Sequence, residues 1–233
     1  MKTTRQRVRG LALVVMLSCG AAVCGTTSAG ASPPSAVPPA ARPHGASYAE
    51  WSARWWQWAF STEATATGPF GADAVDCGVN QPHKKVWFLA GPFNASGTVD
   101  RTCAVPVGTM LLIPVITVEC SNLEDPPFFG ATPAERAACV EADLFAFDDL
   151  EVAVDGKQIN ALERFAVTSP DFAFTGVPDN PVGVVGNGFS TSRGVFVMLS
   201  PLPRGTHTVT FTGSFPTVGF TASATYTIVV THR

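Results

Sequence analysis

Eight short segments rich in β-branched and aromatic residues, each bounded by turn-forming residues, follow Gly68. They are KKVWFLA (84–90), TVDRTCAV (98–105), TMLLIPVITV (109–118), LEVAV (150–154), ERFAV (163–167), GVFVMLS (194–200), HTVTFTG (207–213) and ATYTIVV (224–230). Such residues favour strands, and many short strands separated by turns are typical of sandwiches. Asp155-Gly156 is the type of two-residue turn that closes a hairpin. The sequence therefore predicts a mostly β fold, a β-sandwich or jelly roll.

Two helices are expected to pack on this sandwich. SYAEWSARWWQWAF (47–60) holds four of the five tryptophans in the chain, and Ser47 with Glu50 forms a capping box at its start. The second helix is predicted for TPAERAACVEADLF, because Thr132 can cap it and Pro133 suits its first turn.

Helical periodicity places most of the tryptophans on one side of the first helix. At about 100° per residue, Tyr48, Trp51, Trp55 and Trp58 share about one quarter of the helix surface. A helix that is apolar over most of its circumference is normally buried. We therefore expect this stripe to belong to the core.

Trp56, Arg54 and Gln57 lie outside that stripe, within about 160° of helix surface. An indole beside a guanidinium and an amide suits a sugar, which presents apolar C–H faces together with hydroxyls. These three are the candidate ligand-binding residues. Arg54 can also pair with Glu50, which lies four residues earlier on the helix.

The N-terminus has the pattern of a secretory signal peptide, predicted for residues 1–31. Four basic residues precede the apolar run LALVVMLSCGAAV (11–23), and Ala29-Gly30-Ala31 is a small-residue cleavage site. We expect cleavage after Ala31 and an extracellular protein. Acylation at Cys19 or Cys24 is the alternative, but the residues before both cysteines fit a lipobox poorly.

The remaining chain divides into a linker and one domain. Residues 32–46, SPPSAVPPAARPHGA, predict an extended Pro/Ala linker, and residues 47–233 are expected to form a single β-sandwich domain. No later apolar run reaches about 18 residues, so no membrane span is expected. Without the signal peptide the chain has 11 basic and 18 acidic residues, a net charge of −7. This balance argues against a nucleic-acid partner.

Four cysteines follow the signal peptide: Cys77, Cys103, Cys120 and Cys139. An even number in an exported chain indicates two disulfides. Of the three possible pairings we expect the nearest neighbours, Cys77–Cys103 and Cys120–Cys139. A zinc site is the alternative, but the sequence has no C-x-x-C or H-x-H spacing. We expect no metal and no cofactor.

The sequence contains no G-x-S-x-G, Walker, H-E-x-x-H or G-x-G-x-x-G motif. Acidic residues supply the candidate chemistry instead. Glu119 follows a very apolar strand and precedes Cys120, and Glu124 and Asp125 lie in the next loop. A carboxyl at the end of a buried strand could have a raised pKa and act as an acid, and glycoside hydrolysis requires paired carboxylates. The alternative is a solvated strand end followed by a polar turn.

Several strings of the sequence resemble a set of uncharacterised secreted bacterial proteins. They are Y-x-x-W-x-x-x-W-W-Q-W, VWFLAG, RTCAVPVGTMLLIPVITVECS, and PLPRGTHTVTF followed by TYTIVV. The resemblance extends from about Tyr48 to Val230. It supplies no activity, so no catalytic residue follows from it.

Two functions are therefore considered. The first is a secreted binding or interaction module for a glycan, another envelope component or a small molecule. The second is a small secreted hydrolase or lyase that acts on a polysaccharide, with Glu119 as its catalytic acid. The missing catalytic motifs favour the first, whereas convergence of Glu119, Trp56 and Arg54 in one pocket would favour the second.

Overall fold

The computed structural model describes residues 35–71, 76–93 and 95–232. The chain divides into two units after Ser32, and every described residue belongs to the second, Pro33–Arg233. The expected signal peptide and its cleavage site lie outside the described residues.

Two α-helices and ten strands form the described part of the chain. The helices are α1 (Tyr48–Phe60) and α2 (Pro133–Val140). The strands are β1 (Val86–Phe88), β2 (Gly97–Pro106), β3 (Met110–Ser121), β4 (Asp148–Val154), β5 (Lys157–Gln158), β6 (Ala166–Thr168), β7 (Phe172–Gly176), β8 (Gly186–Leu199), β9 (Gly205–Phe215) and β10 (Phe220–Thr231). Both helices begin with a complete capping box, Ser47 with Glu50 and Thr132 with Glu135.

The strands form two sheets, which confirms the predicted mostly β sandwich with one N-terminal helix and a second short helix. In the first sheet the order is β1-β3-β8-β6, and β7 also pairs with β8. In the second sheet the order is β2-β10-β9-β4-β5. The pairs β1–β3 and β2–β10 are parallel, and the others are antiparallel. Asp155 and Gly156 join β4 to β5 with φ of 51° and 74°, as a type I′ turn requires.

Two of the sequence predictions differ from the structure in detail. The segment 163–167, predicted as a strand, begins as the 3₁₀ helix Leu162–Phe165, and β6 starts only afterwards. Ala161, in the left-handed conformation with φ of 56°, precedes this helical turn and interrupts the extended chain. The strand β7 was not predicted, although buried and exposed residues alternate strictly along it.

Both disulfides have the predicted pairing. Cys77–Cys103 joins the loop before β1 to β2, and Cys120–Cys139 joins the end of β3 to α2, with Cα–Cα distances of 5.6 and 6.2 Å. The cysteines are 26 and 19 residues apart in the sequence. In the chain-entropy model, closing loops of this size contributes about 3 kcal/mol each to the free energy of unfolding.

Residues 35–46, within the expected linker, are hydrogen-bonded to the domain. Ala36 forms a β-bridge with Leu199, and the N–H of Val37 donates to the carbonyl of Met198 at 2.8 Å. The hydroxyl of Tyr48 donates to the carbonyl of Val37 at 2.8 Å. This segment therefore runs along the end of β8 and leads directly into α1, which packs against β6, β7 and β8.

Candidate functional site

A pocket of about 370 Å³ lies between α1, β3 and residues of the second sheet. This volume is within the range of about 300–1,000 Å³ that is usual for small-molecule sites. Trp55 and Trp56 contribute one wall, residues 114–119 of β3 another, and Ala222 of β10 lies on the side of the second sheet. We call it the aromatic pocket, because its other large side chains are Phe93, Phe128, Phe145, Phe215 and Phe220.

An irregularity in the pairing of β3 with β8 affects which side chains of β3 face the aromatic pocket. It is buried along nearly its whole length, and its register with β8 shifts between Pro114 and Ile116. An extra residue at a bulge redirects the side chains around it. Beyond the bulge the alternation is regular, so Thr117 and Glu119 share one face. Thr117 Oγ1 accepts a hydrogen bond from Trp56 Nε1 at 3.0 Å, which places this face toward α1.

Glu119 is the most deeply buried acidic side chain of the pocket, with 3% of its surface exposed. The hydroxyl of Ser190, on β8, donates to its carboxyl, and the carboxyl of Glu124 is its acidic neighbour. Burial raises the pKa of Glu119 well above its usual range, and the neighbouring Glu124 carboxyl raises it further, against the opposing effect of Ser190. The alternative of a solvated strand end is therefore wrong for Glu119.

Glu124 comes from the loop that follows β3. This loop folds back on the strand, because the N–H of Ser121 donates to the carbonyl of Phe128 at 3.0 Å. The hydroxyl of Ser121 donates to Glu124 Oε2 at 2.9 Å. Burial raises the pKa of Glu124, while the neighbouring Glu119 side chain and the hydrogen bond from Ser121 oppose the rise.

The raised pKa favours the protonated form of Glu119 in the folded protein. A protonated carboxyl donates one hydrogen bond and still accepts, whereas an ionised carboxylate only accepts. The pair is thus a polar group that can both donate and accept, surrounded by aromatic rings. Two neighbouring carboxyls, one of them protonated, are a recurrent arrangement for acid–base chemistry.

The structure separates the four residues predicted for the site. Trp56 is 5% exposed and lines the aromatic pocket together with Glu119. Arg54 and Gln57 do not line this pocket. They are exposed and belong to a second pocket of about 300 Å³ on another side of α1. The convergence of Glu119 with Trp56 is found, and the convergence with Arg54 is not.

The sequence did not indicate most of the aromatic wall. Phe93 and Phe128 lie in turns beside prolines, where a strand or helix period gives no information. Phe93 packs on both tryptophans of the pocket, with ring centroids 6.2 Å from Trp55 and 5.7 Å from Trp56. Ser190 also gave no signal, since it meets Glu119 only through the pairing of β3 with β8.

Other kinds of site find no support in the described ranges. No group of three or more His, Cys, Asp or Glu side chains within them could hold a metal ion. None of the helices described is long and apolar enough to cross a membrane.

Comparisons with known proteins were made for families, curated proteins and solved structures. No family model matches the chain, and no curated protein matches it. A chain from a solved structure described as "Structure of PbICP-C in complex with falcipain-2" has 12% sequence identity and a TM-score of 0.25, and the alignment covers 64% of this chain and 99% of that one. Similarity at this level carries no argument about fold or function.

Proposed function

We propose that the protein is an exported binding module that holds one small, largely apolar molecule in the aromatic pocket. The observation that carries this proposal is the combination of a pocket of about 370 Å³, walls made of aromatic rings and aliphatic side chains, and a buried carboxyl pair in its lining. Sites for small molecules typically join an apolar lining to a few polar groups that fix orientation.

The carboxyl pair limits the polar end of the ligand. The proton of the Glu119 carboxyl can be donated to a ligand oxygen, and the remaining oxygens of the pair can accept from a ligand hydroxyl. The other polar group nearby, Thr117 Oγ1, already accepts from Trp56 and donates to the carbonyl of Arg193. One hydroxyl or carbonyl group on an otherwise apolar molecule matches this arrangement.

A long glycan is matched less well by the same pocket. A polysaccharide chain presents many hydroxyls, and each needs a partner when it is removed from water. The described lining offers mainly rings and aliphatic side chains. A glycan ligand stays a prediction, and the experiment below includes it.

The experiment uses N-phenyl-1-naphthylamine, a neutral apolar fluorophore, as the probe for the pocket. Val218 lines the pocket and is 44% exposed, so Val218→Trp adds bulk to the lining without removing a core side chain. Val185 is 61% exposed and lies outside the lining, so Val185→Trp is the matched control. We expect the probe to bind the parent and Val185→Trp, and Val218→Trp to bind at least tenfold more weakly.

Competition then tests the ligand class. Apolar alcohols should displace the probe more effectively than the corresponding methyl ethers, and Glu119→Leu should remove this preference, about tenfold in affinity for one lost hydrogen bond. Soluble oligosaccharides serve as the third group of competitors. Equal probe binding by the parent and Val218→Trp would contradict the proposal, as would displacement by oligosaccharides alone.

A second function, carboxylate-dependent hydrolysis or elimination, is favoured by one observation, the raised pKa of Glu119. A raised pKa keeps a carboxyl protonated and able to act as a general acid near neutral pH. Product formation from a panel of polysaccharides and esters, lost in Glu119→Gln while binding is retained, would support this function.

A further inference from the structure

A second cavity, of about 300 Å³, lies beside α1 and shares no lining residue with the aromatic pocket. Its walls include Trp51, Arg54, Gln57 and Trp58 from the helix and His83 from the loop before β1. We call it the helix-side pocket. The sequence predicts Trp56, Arg54 and Gln57 together as ligand contacts, and of these three only Arg54 and Gln57 line this pocket.

Arg54 contributes a positive charge that has no carboxylate partner in the described structure. The expected pair with Glu50 is not formed, because the carboxylate of Glu50 binds Arg42 at 2.9 Å and caps the helix at Ser47. The guanidinium of Arg54 instead lies over the ring of Trp51, 4.5 Å from its centroid. Among the residues described, the lining of the helix-side pocket contains no acidic side chain. A cation held in a pocket without a counter-charge favours an anionic ligand.

Trp58 forms part of the inner wall of this pocket. It is only 1% exposed, and its Nε1 has no hydrogen-bond partner within the described ranges. Because that nitrogen has less than 1 Å² of accessible surface, a ligand in the helix-side pocket does not reach it.

His83 adds a second donor to the same lining. Burial, together with the nearby charges of His44 and Arg54, lowers the pKa of His83. Its Nδ1 accepts from the N–H of Lys85 at 3.1 Å, which places the hydrogen of the neutral ring on Nε2. The pocket thus combines a guanidinium and an imidazole donor.

The two amide side chains of the lining contribute acceptors. Gln57 Nε2 donates to the carbonyl of Ala173 and Asn80 Nδ2 to the carbonyl of Ser61, both at 2.9 Å. These bonds orient each amide with its nitrogen toward the protein, and the amide oxygens remain able to accept from hydroxyl groups.

We propose that the helix-side pocket binds a small polyhydroxylated anion of the acidic-sugar class. Its carboxylate accepts hydrogen bonds from Arg54 and His83, and its hydroxyls donate to the amide oxygens of Gln57 and Asn80. This site is independent of the function proposed for the aromatic pocket.

The test compares D-glucuronate, D-glucose and inorganic phosphate by isothermal titration calorimetry. The parent should bind glucuronate at least tenfold more tightly than glucose, because glucose lacks the carboxylate, and more tightly than phosphate, because phosphate lacks the hydroxyl arrangement. Arg54→Gln should weaken glucuronate binding at least tenfold, and His83→Phe, which removes the imidazole N–H, should weaken it about tenfold. Arg204→Gln removes an exposed arginine outside the lining and should leave binding unchanged.

The following outcomes would overturn the proposal. Equal affinity of the parent and Arg54→Gln for glucuronate, or no binding by the parent, would overturn the site. Equal affinity for phosphate and glucuronate would overturn the assignment of a sugar. Thermal melting establishes that each variant is folded, and Arg54→Gln remains informative if His83→Phe fails that check, because Arg54 is exposed.

Discussion

Replacing Glu119 by Gln should flatten the dependence of the free energy of unfolding on pH. The pKa of Glu119 is raised in the folded protein by burial and by Glu124. The unfolded chain therefore loses this proton at a lower pH than the folded protein does. The stabilisation that protonated Glu119 contributes to the folded protein is fully present below the unfolded pKa of about 4.3. It is lost as the pH rises through the folded pKa. Gln keeps the shape and hydrogen-bonding ends of the side chain but cannot ionise.

The size of the effect follows from linkage. Between the unfolded and folded pKa values, the folded protein keeps one proton that the unfolded chain has lost. Each rise of one pH unit in this range therefore lowers the free energy of unfolding by about 1.36 kcal/mol. For a domain of this size 1 kcal/mol corresponds to about 2–4 °C in Tm. The Tm of Glu119→Gln relative to the parent should therefore rise by about 3–5 °C for each pH unit above 5, until the folded pKa is reached.

The assay is thermal melting of the parent and variant from pH 4 to pH 9 at constant ionic strength. Every other titrating side chain is common to both proteins, so the difference between their Tm values isolates the carboxyl pair. Glu163→Gln, which replaces an exposed carboxyl, gives the baseline. A Tm difference that does not change with pH would refute the reasoning, because it would mean that Glu119 ionises as easily in the folded protein as in the unfolded chain.

Three further predictions concern the core, the disulfides and the N-terminus. Trp55→Ala should lower the free energy of unfolding by about 3–5 kcal/mol, and Trp56→Ala by less because Trp56 borders the pocket more openly; unchanged melting of both would show that α1 is not core. Thiol titration of the denatured, exported protein should give a value near zero, and any stoichiometric free thiol would contradict the pairing of all four cysteines. Intact mass should place the mature N-terminus at Ser32, and an acylated product would show that the predicted cleavage is wrong.

The strand predictions are correct where the local sequence pattern agrees with the pairing of the strand in its sheet. β3 and β10 are long, rich in β-branched residues and bounded by turn residues, so the local sequence was sufficient. β7 has only five residues between Pro170 and Pro178, which looks like a loop until its pairing with β8 is known. The disulfides were predictable because each joins two cysteines that are near neighbours in the sequence.

The candidate site was only half predictable for geometric reasons. Glu119 and Glu124 are five residues apart, so a single loop reversal brings them together. Arg54 and Trp56 lie about 160° apart on the helix, so a helix that places Trp56 against the sandwich directs Arg54 elsewhere. The phenylalanines of the aromatic pocket come from separate loops and strands, and only the complete sheet order places Phe93, Phe215 and Trp56 around one cavity.

The parallel pairing of β2 with β10 has a consequence for how the domain forms during synthesis. β2 is an edge strand whose single neighbour in its sheet is β10, and roughly 110 residues are made between them. At about 5–20 residues per second, β2 waits on the order of ten seconds for its partner. An unpaired strand is a site for association with other chains, and such long-range pairings fold slowly. β2 therefore lacks its neighbour in the sheet until β10 has been made, and a nascent chain stopped before β10 should depend on a chaperone to stay soluble.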